Sequence, residues 1–185
     1  MPRKTSIMRW MVIHDLFRFQ FVKLLRGNKL KAGGWNALGP GSVFTLAGSL
    51  EVGYRTSFGR LVYVHVLGSV KLGSHCFIND CVRIVCHEHI EMGDNVLIAS
   101  GVSIYDHDHS SELRSGSLVF EGYTTAPIRI GSNVWIGDKA ILLKGVSIGD
   151  NTIIGAGSVV TSNIPANCVA AGNPCRKIRE INELP

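Results

Sequence analysis

The sequence predicts an all-β solenoid, a parallel β-helix, and two observations support this fold class. Between Ile130 and Val160 an aliphatic residue recurs every six positions, at 130, 136, 142, 148, 154 and 160. Glycine follows four of these six residues, at 131, 137, 149 and 155. A helix would repeat at three or four positions and a lone strand at two, whereas a sustained period of six is typical of stacked coils of short strands. We expect the aliphatic side chains to point inward, three hexapeptides to close a coil of about 18 residues, and glycine to supply turns at close backbone approach.

Composition limits the remaining choices. A chain of 185 residues is long enough for one domain with a full core. Charged residues make up 18% and hydrophobic residues 45%, which argues against a disordered chain. The net charge of +5 favours anionic ligands, but no long basic run is present, so no nucleic-acid partner is expected. Five cysteines without a secretory signal predict reduced thiols and a cytoplasmic location.

Residues 1–40 are predicted to form an N-terminal helix and a connector. Apolar residues recur near the helical period over residues 6–26, and Gly27 is a plausible stop. Two roles stay open for this helix: a cap on the open end of the solenoid, which we favour, and a membrane-surface helix with its arginines near the headgroups. No run of about 18 apolar residues exists, so a spanning helix is excluded. Residues 29–40 are interpreted as a basic, glycine-rich connector.

The solenoid is predicted over residues 41–172. In its first three coils the inward aliphatic residues come in groups of three. Within a group they are six positions apart, and from one group to the next the spacing is eight. This indicates coils of about 20 residues with two extra residues at one corner. The extra corner of the second coil carries Cys86, His87, Glu88 and His89. The predicted inward residues of these three coils are Val52, Phe58, Val64, Leu72, Ile78, Ile84, Met92, Ile98 and Ile104.

The repeat is interrupted after Ile104 and returns at Ile130, so a loop over residues 105–129 is predicted to leave the solenoid at one corner. Long loops in regular compact folds are usually functional or disordered. This loop opens with Asp106, His107, Asp108 and His109, and we interpret it as functional. Residues 173–185 form the predicted C-terminal tail, with a short helix over 175–184 packed on the last coil.

Three runs resemble the hexapeptide-repeat acetyltransferases, and most closely the sugar O-acetyltransferase branch with its galactoside and maltose enzymes. These runs are VWIG at 134–137, GAGSVVTSNIP at 155–165 and AAGNPCRKIREIN at 170–182. The resemblance, over about residues 72 to 182, implies a left-handed β-helix and a homotrimer with its active site at the subunit interface. It also implies transfer of an acetyl group from acetyl-CoA to a sugar hydroxyl, or alternatively an amine, with a surface-polysaccharide precursor as a candidate acceptor.

The resemblance implies that His107 is the general base, for which a pKa near neutrality suits an imidazole. Glu112-Leu113-Arg114 follows His107 at the family's spacing, which selects His107 over His109. On the acceptor side the resemblance implies Asn79 and the corner residue His87, and we add His109. His87 stands where the galactoside enzymes carry an acceptor-binding Asp, so a simple galactoside is not implied. Either Asp106 or Asp108 could orient the imidazole.

On the cofactor side the resemblance implies five residues. Trp135 would line the groove for the pantetheine arm, and Ala156 and Thr161 would contact that arm. Arg176 and Arg179 would meet the CoA phosphates, which suit guanidinium groups. The sequence departs from the family at Asp138 and Ser162, where the galactoside enzymes carry a Ser and a Lys that touch CoA.

Two alternative functions remain open. One is a zinc hydratase of the γ-carbonic anhydrase kind, which shares this coil and uses histidine ligands. The other is a non-catalytic structural trimer. Cys76, Cys81 and Cys86 lack a CxxC pair, so we interpret them as buried apolar thiols and expect no metal.

Overall fold

The computed structural model describes residues 3–181, with side chains from residue 13 onward. The chain begins with helix α1, Arg3–Arg26, and a short 3-10 turn, Gly27–Lys29. Strands follow to the end of the described chain: β1 Leu30–Ala32, β2 Ala37–Leu38, β3 Val43–Leu46, β4 Ser49–Val52, β5 Ser57–Phe58, β6 Tyr63–Val66, β7 Ser69–Leu72, β8 Phe77–Ile78, β9 Arg83–Cys86, β10 His89–Met92, β11 Leu97–Ile98, β12 Ser103–Tyr105, β13 His107–Arg114, β14 Ser117–Thr125, β15 Ile128–Ile130, β16 Trp135–Ile136, β17 Ile141–Leu142, β18 Ser147–Ile148, β19 Ile153–Ile154, β20 Val159–Val160, β21 Cys168–Ala171 and β22 Arg176–Glu180.

The strands build a β-solenoid of about seven turns, which confirms the predicted fold class. Three sheets form its sides, and successive strands of the chain pass from one sheet to the next. Sheet A has the order β1-β4-β7-β10-β15-β18, sheet B the order β2-β5-β8-β11-β16-β19-β21-β22, and sheet C the order β20-β17-β12-β9-β6-β3. All pairings within the three sheets are parallel except that of β21 with β22, which is antiparallel.

The register confirms the predicted coil lengths. Leu50 pairs with Val70 in the first coils, a step of 20 residues, whereas Ile130 pairs with Ile148, a step of 18. The longer coils have four-residue strands on both sides of the corner between sheets C and A. All nine predicted inward residues of these coils are buried, so alternation along each strand fills the interior with aliphatic side chains.

The prediction of a connector over residues 29–40 was wrong, because the solenoid already begins at Leu30. Strands β1 and β2 pair with β4 and β5 and form the first coil. The sequence does contain this coil, because Ala32, Leu38 and Phe44 lie 20 residues before the first three predicted inward residues, with which they pair. The glycines at 33 and 34 obscured it, because the turn they form reads as a linker in a single sequence.

The predicted C-terminal helix was also wrong. Residues Arg176–Glu180 form β22, which pairs antiparallel with β21 after the chain reverses through residues 172–175. The last coil leaves an open sheet edge with unpaired backbone groups, and pairing with that edge satisfies them. Tertiary pairing therefore overrides a pattern that is compatible with a helix. Residues 182–184 of the predicted helix lie outside the described part of the chain.

The glycines of the hexapeptides lie at close approach to the next coil, as predicted, but they do not supply left-handed turns. None of Gly131, Gly137, Gly149 and Gly155 adopts a left-handed conformation. They are small because the next coil lies against them, as for Gly137, where a Cβ would lie 2.5 Å from the backbone nitrogen of Ala156. Among the described residues, eleven other than glycine are left-handed, and the four at the corner between sheets A and B of the later coils are asparagine, which tolerates this region. Asn95, Asn133, Asn151 and Asn167 stack there in a ladder of side-chain amide hydrogen bonds.

Helix α1 caps the open end of the solenoid, as the favoured interpretation predicted. Phe19 is fully buried and its ring packs at centroid distances of 6.5 Å from Phe44 and 6.1 Å from Phe58. Arg18 and Lys23 donate hydrogen bonds to the carbonyls of Leu38 and Ala32 in the first coil. Within residues 3–181, no helix combines the length and apolarity needed to cross a bilayer.

Candidate active site

A buried carboxylate organises the corner at which the chain leaves the solenoid. Asp106 follows β12 directly and is inaccessible to solvent. Its Oδ1 accepts a hydrogen bond from the backbone N–H of His87 at 2.7 Å, and its Oδ2 accepts from those of Glu88 at 2.8 Å and His89 at 3.0 Å. Three consecutive N–H groups of the neighbouring corner are thus held by one side chain. Asp106 therefore connects the corner at residues 87–89 with the start of the segment that leaves the solenoid.

The charge states of Asp106 and Cys86 follow from their contacts. Burial alone would raise the pKa of Asp106, but the N–H donors of His87 and Glu88, helped by Cys86 and His107, outweigh it and lower the pKa below its usual value. The Cys86 thiol lies 3.3 Å from Oδ2, and burial together with the Asp106 charge raises its pKa far above the ordinary range. Asp106 is therefore a stable anion and Cys86 a neutral thiol at neutral pH.

His107 lies beside this carboxylate at the base of the hairpin. Its side chain is 13% exposed, and Nδ1 lies 3.4 Å from Oδ1 of Asp106. This contact favours the tautomer with the proton on Nδ1, which leaves Nε2 as a proton acceptor. Asp108 instead faces Lys144 at 3.2 Å. Of the two aspartates left open as orienting groups, Asp106 has the suitable geometry.

The ring of His87 covers one face of His107. The two imidazoles stack with centroids 3.6 Å apart and an interplanar angle of 2°. Burial and the neighbouring His107 lower the pKa of His87, so the neutral ring is favoured at this position. The stack fixes the plane in which the His107 ring lies.

The extruded segment is an antiparallel hairpin of β13 and β14, which confirms that a loop leaves the solenoid between 105 and 129. His109 pairs with Tyr123 across the hairpin, and the Tyr123 ring meets His87 edge-on at a centroid distance of 4.5 Å. Lys144, on the next coil, contacts both Asp108 and Thr124 at the hairpin base. Sequence reasoning missed Tyr123 and Lys144, because their proximity depends on the hairpin register.

The structure brings three of the four predicted acceptor and catalytic residues together. His87, His107 and His109 surround Tyr123 at the corner between sheets C and A. Asn79 does not join them, since it follows β8 at the corner between sheets B and C. Its Oδ1 accepts a hydrogen bond from the N–H of Asp80 at 2.8 Å.

Most of the predicted cofactor residues lie on sheet B and its edges. Trp135 is 51% exposed on β16, and Ala156 follows β19 in the same sheet. Arg176 and Arg179 are exposed on β22, the last strand of that sheet, where Nη1 of Arg176 lies 3.3 Å from Oγ of Ser162. Thr161 follows β20 at the corner between sheets C and A. Four of the five cofactor residues are therefore on a different side of the chain from His107, whereas Thr161 lies at the same corner on a later coil.

Among residues 13–181, the thiols and histidines do not gather into a metal site. Cys81 is exposed at a left-handed corner, so its interpretation as a buried thiol was wrong, whereas Cys76 and Cys86 are buried as predicted. Within residues 13–181, no group of three or more His, Cys, Asp and Glu side chains is arranged to hold a metal ion. The lone pairs of His87 and His107 lie in parallel planes and do not converge on one point.

Comparison with known proteins points to one family. A family profile described as bacterial transferase hexapeptide (six repeats) matches residues 127–162. Galactoside O-acetyltransferase of Escherichia coli (strain K12) is 45% identical over 124 residues, which cover 66% of this chain and 59% of that enzyme. This chain thus matches less than two thirds of that relative's length.

Solved structures extend the similarity. A maltose O-acetyltransferase from Clostridium difficile 630 is 37% identical with a TM-score of 0.54, over 78% of this chain and 71% of its own. A galactoside acetyltransferase in complex with coenzyme A is 32% identical with a TM-score of 0.53, over 89% of this chain and 70% of its own. Each of these two structures is more than 30% identical to this chain and is matched over more than two thirds of its own length. The chain belongs to the hexapeptide-repeat acetyltransferases, in the sugar O-acetyltransferase branch.

Proposed function

We propose that this protein transfers an acetyl group from acetyl-CoA to a hydroxyl of a sugar. The observation that carries the proposal is the Asp106–His107 pair at the base of the hairpin, with Nδ1 of the imidazole 3.4 Å from a buried carboxylate. A hydroxyl is a weak nucleophile at neutral pH and needs a positioned base. The coenzyme A complex of the related galactoside enzyme supports acetyl-CoA as the cosubstrate.

In the proposed reaction Nε2 of His107 accepts the proton of the acceptor hydroxyl. The hydroxyl oxygen forms a bond to the thioester carbonyl carbon, and collapse of the tetrahedral adduct breaks the carbon–sulfur bond. The CoA thiolate leaves and takes the proton back from the imidazolium. Asp106 stabilises that imidazolium and keeps the proton of Nδ1 in place. His87, stacked on the ring, limits its rotation.

Transfer to an amine uses the same base and remains the alternative acceptor chemistry. A surface-polysaccharide precursor is the proposed acceptor class. Asn79, His87 and His109 are the proposed acceptor contacts. Trp135, Ala156, Thr161, Arg176 and Arg179 are the proposed contacts to CoA.

We propose that the site is completed by another copy of the chain in a homotrimer. Asn79 and His107 lie on different corners of the same coil region, and Trp135 lies on sheet B while His107 follows sheet C. Side chains on different sides of one prism act on the same substrate only if two copies face each other. Left-handed coiling, as in the family, is part of this proposal.

We further propose that α1 contacts a membrane surface. The helix has one acidic residue, Asp15, against six basic ones. Its outward side exposes Ile13, Phe17, Phe21, Leu24 and Leu25, while Phe19 packs on the solenoid. An apolar face beside basic residues suits the surface of an anionic bilayer. The protein would then work at the cytoplasmic face of a membrane, where lipid-linked sugars are available.

Substitution of His107 tests the chemistry. His107→Ala is expected to reduce the rate of acetyl transfer by about 10²–10⁴-fold while the affinity for acetyl-CoA is unchanged. His75→Ala is the control and should keep the rate, because it removes an exposed imidazole at the corner between sheets A and B, outside the proposed site. Rates are measured by thiol release with a panel of sugar acceptors, and binding by calorimetry. Turnover of His107→Ala at the rate of the unsubstituted protein would remove His107 from the mechanism.

A zinc hydratase is the second candidate, because the hexapeptide coil is shared with that class. The parallel stack of His87 and His107 does not suit a shared metal ion. A metal assay on the purified protein decides between the two candidates.

A further inference from the structure

A band of aromatic and cationic side chains crosses the outer face of sheet C and starts at His107. The ring of His87 lies 3.6 Å from His107, the ring of His65 lies 6.4 Å from His87, and the ring of Tyr63 lies 6.3 Å from His65. Tyr63 and His65 point outward because they alternate with buried valines along β6. The band ends at Arg83, whose guanidinium carbon lies 5.2 Å from the centroid of the Tyr63 ring.

The far end of this band has unused binding capacity. Arg83 is exposed, and none of the ion pairs formed within residues 13–181 includes it. The carboxylate of Asp80, which precedes it at the adjacent corner, is bound by Arg60 at 2.7 Å. Nδ1 of His65 is buried without a hydrogen-bond partner in the described part of the chain. A buried polar atom of this kind is costly unless a partner reaches it.

The distance between the two ends sets the size of the ligand. Arg83 begins β9, and His87, which stacks on His107, lies four positions later, just past the end of that strand, which corresponds to about 13 Å of extended chain. This span exceeds one sugar ring. The flat rings of Tyr63, His65 and His87 offer apolar contact area along it. A guanidinium free of protein carboxylates is suited to a carboxylate or a phosphate.

We propose that the acceptor is an anionic saccharide of at least two units, whose reacting hydroxyl lies at His107 and whose carboxylate or phosphate binds Arg83. This inference rests on the proposed acetyltransferase function and names its acceptor class. Tyr63 and His65 hold the connecting part of the acceptor against sheet C. Arg83 is a specificity-determining residue and takes no part in the chemistry.

The test compares matched acceptors and matched arginine variants. The acceptors are a neutral disaccharide, the same disaccharide with a terminal glucuronate, and the same disaccharide with a terminal phosphate. The protein with Arg83 intact is expected to prefer the anionic acceptors by about tenfold in kcat/KM, since a charge-assisted contact is gained. Arg83→Gln should remove this preference without changing the KM for acetyl-CoA or the rate on the neutral disaccharide.

Arg129→Gln is the control, because it removes an exposed positive charge from sheet A, on another side of the solenoid. It should keep the preference. Equal kcat/KM for neutral and anionic acceptors, or a preference that survives Arg83→Gln, would overturn the proposal. The two anionic arms distinguish a carboxylate from a phosphate.

Calorimetric titration of the same disaccharides into the CoA-saturated protein separates this inference from the proposed function. Tighter binding of the anionic disaccharide that is lost in Arg83→Gln supports the subsite even without turnover, and absent turnover then counts against the proposed reaction alone. Equal affinities for neutral and anionic disaccharides overturn the subsite. Thermal melting of both variants shows that they fold.

Discussion

At the scale of single residues, Asp106 connects the stability of the corner with the orientation of the proposed base. Its carboxylate fills the place of backbone acceptors that the interrupted coil no longer provides to residues 87–89. The same carboxylate lies against Nδ1 of His107. A buried charge is tolerated here because it accepts several hydrogen bonds. The stability of the corner and the proposed orientation of the base therefore share one side chain.

Asp106→Asn is expected to destabilise the protein by about 3 kcal/mol at neutral pH, because one oxygen acceptor becomes an N–H donor that faces backbone N–H groups. The folded state lowers the pKa of Asp106, so its stabilisation is present above the unfolded pKa and is lost as the pH falls through the folded pKa. Denaturant unfolding over a series of pH values measures this. The difference between the two proteins should be constant near neutrality and should shrink in acid.

Asp108→Asn serves as the control for this prediction. Asp108 is more than half exposed and faces Lys144 across the hairpin base, so its loss should change the free energy of unfolding by less than about 1 kcal/mol. Similar losses for both variants, or a difference that does not depend on pH, would contradict the role assigned to Asp106.

The sequence alone predicted some residues of the candidate site and missed others. The interruption at Ile104 and the resemblance together identified His107, because both depend on local spacing. The sequence could not decide whether Asp106 or Asp108 orients the imidazole of His107. The choice depends on the contacts of the Asp106 side chain with the corner at residues 87–89, on the preceding coil. Tyr123 and Arg83 carry no local signal. They approach the site through hairpin register and sheet stacking.

At the scale of elements, α1 has two apolar sides with different roles. One side packs Phe19 against Phe44 and Phe58, and the other leaves Phe17 and Phe21 exposed by 70% and 60%. A helix that only capped the solenoid would need the first side alone. The second side is the basis for the proposed membrane contact.

Substitutions on the two sides are expected to separate stability from membrane binding. Phe19→Ala should destabilise the protein by about 3–5 kcal/mol, because a buried ring is removed. Phe17→Ser combined with Phe21→Ser should leave the melting temperature nearly unchanged and abolish co-sedimentation with phosphatidylglycerol vesicles. Neutral phosphatidylcholine vesicles are the control. If the unsubstituted protein stays in solution with anionic vesicles, the membrane proposal is wrong.

Element boundaries show where sequence patterns lose information. Long aliphatic ladders fixed the coil register correctly, because each inward position is constrained by the coils above and below it. The first coil was missed because two glycines interrupt its short strands. The tail was assigned to a helix because its pattern is ambiguous over ten residues, and only the open edge of sheet B decides its conformation.

At the scale of the whole molecule, the proposed substrates approach the chain from different sides. The acceptor band lies on sheet C and the proposed CoA contacts lie mainly on sheet B. The two faces point in different directions on one prism, and the proposed second copy of the chain would bring a CoA-binding face opposite an acceptor face. Regular stacking makes such an assembly natural, since each side of the solenoid is flat and extends over several coils.

The proposed mechanism depends on acetyl-CoA as the acetyl donor. Calorimetric titration with acetyl-CoA, with metal content assayed on the same sample, tests it most directly. We expect binding with a Kd on the order of micromolar at one site per chain, and no stoichiometric zinc. Absence of binding together with about one zinc ion per chain would rule out acetyl transfer and favour a zinc hydratase. Absence of both would leave a structural assembly as the function of the fold.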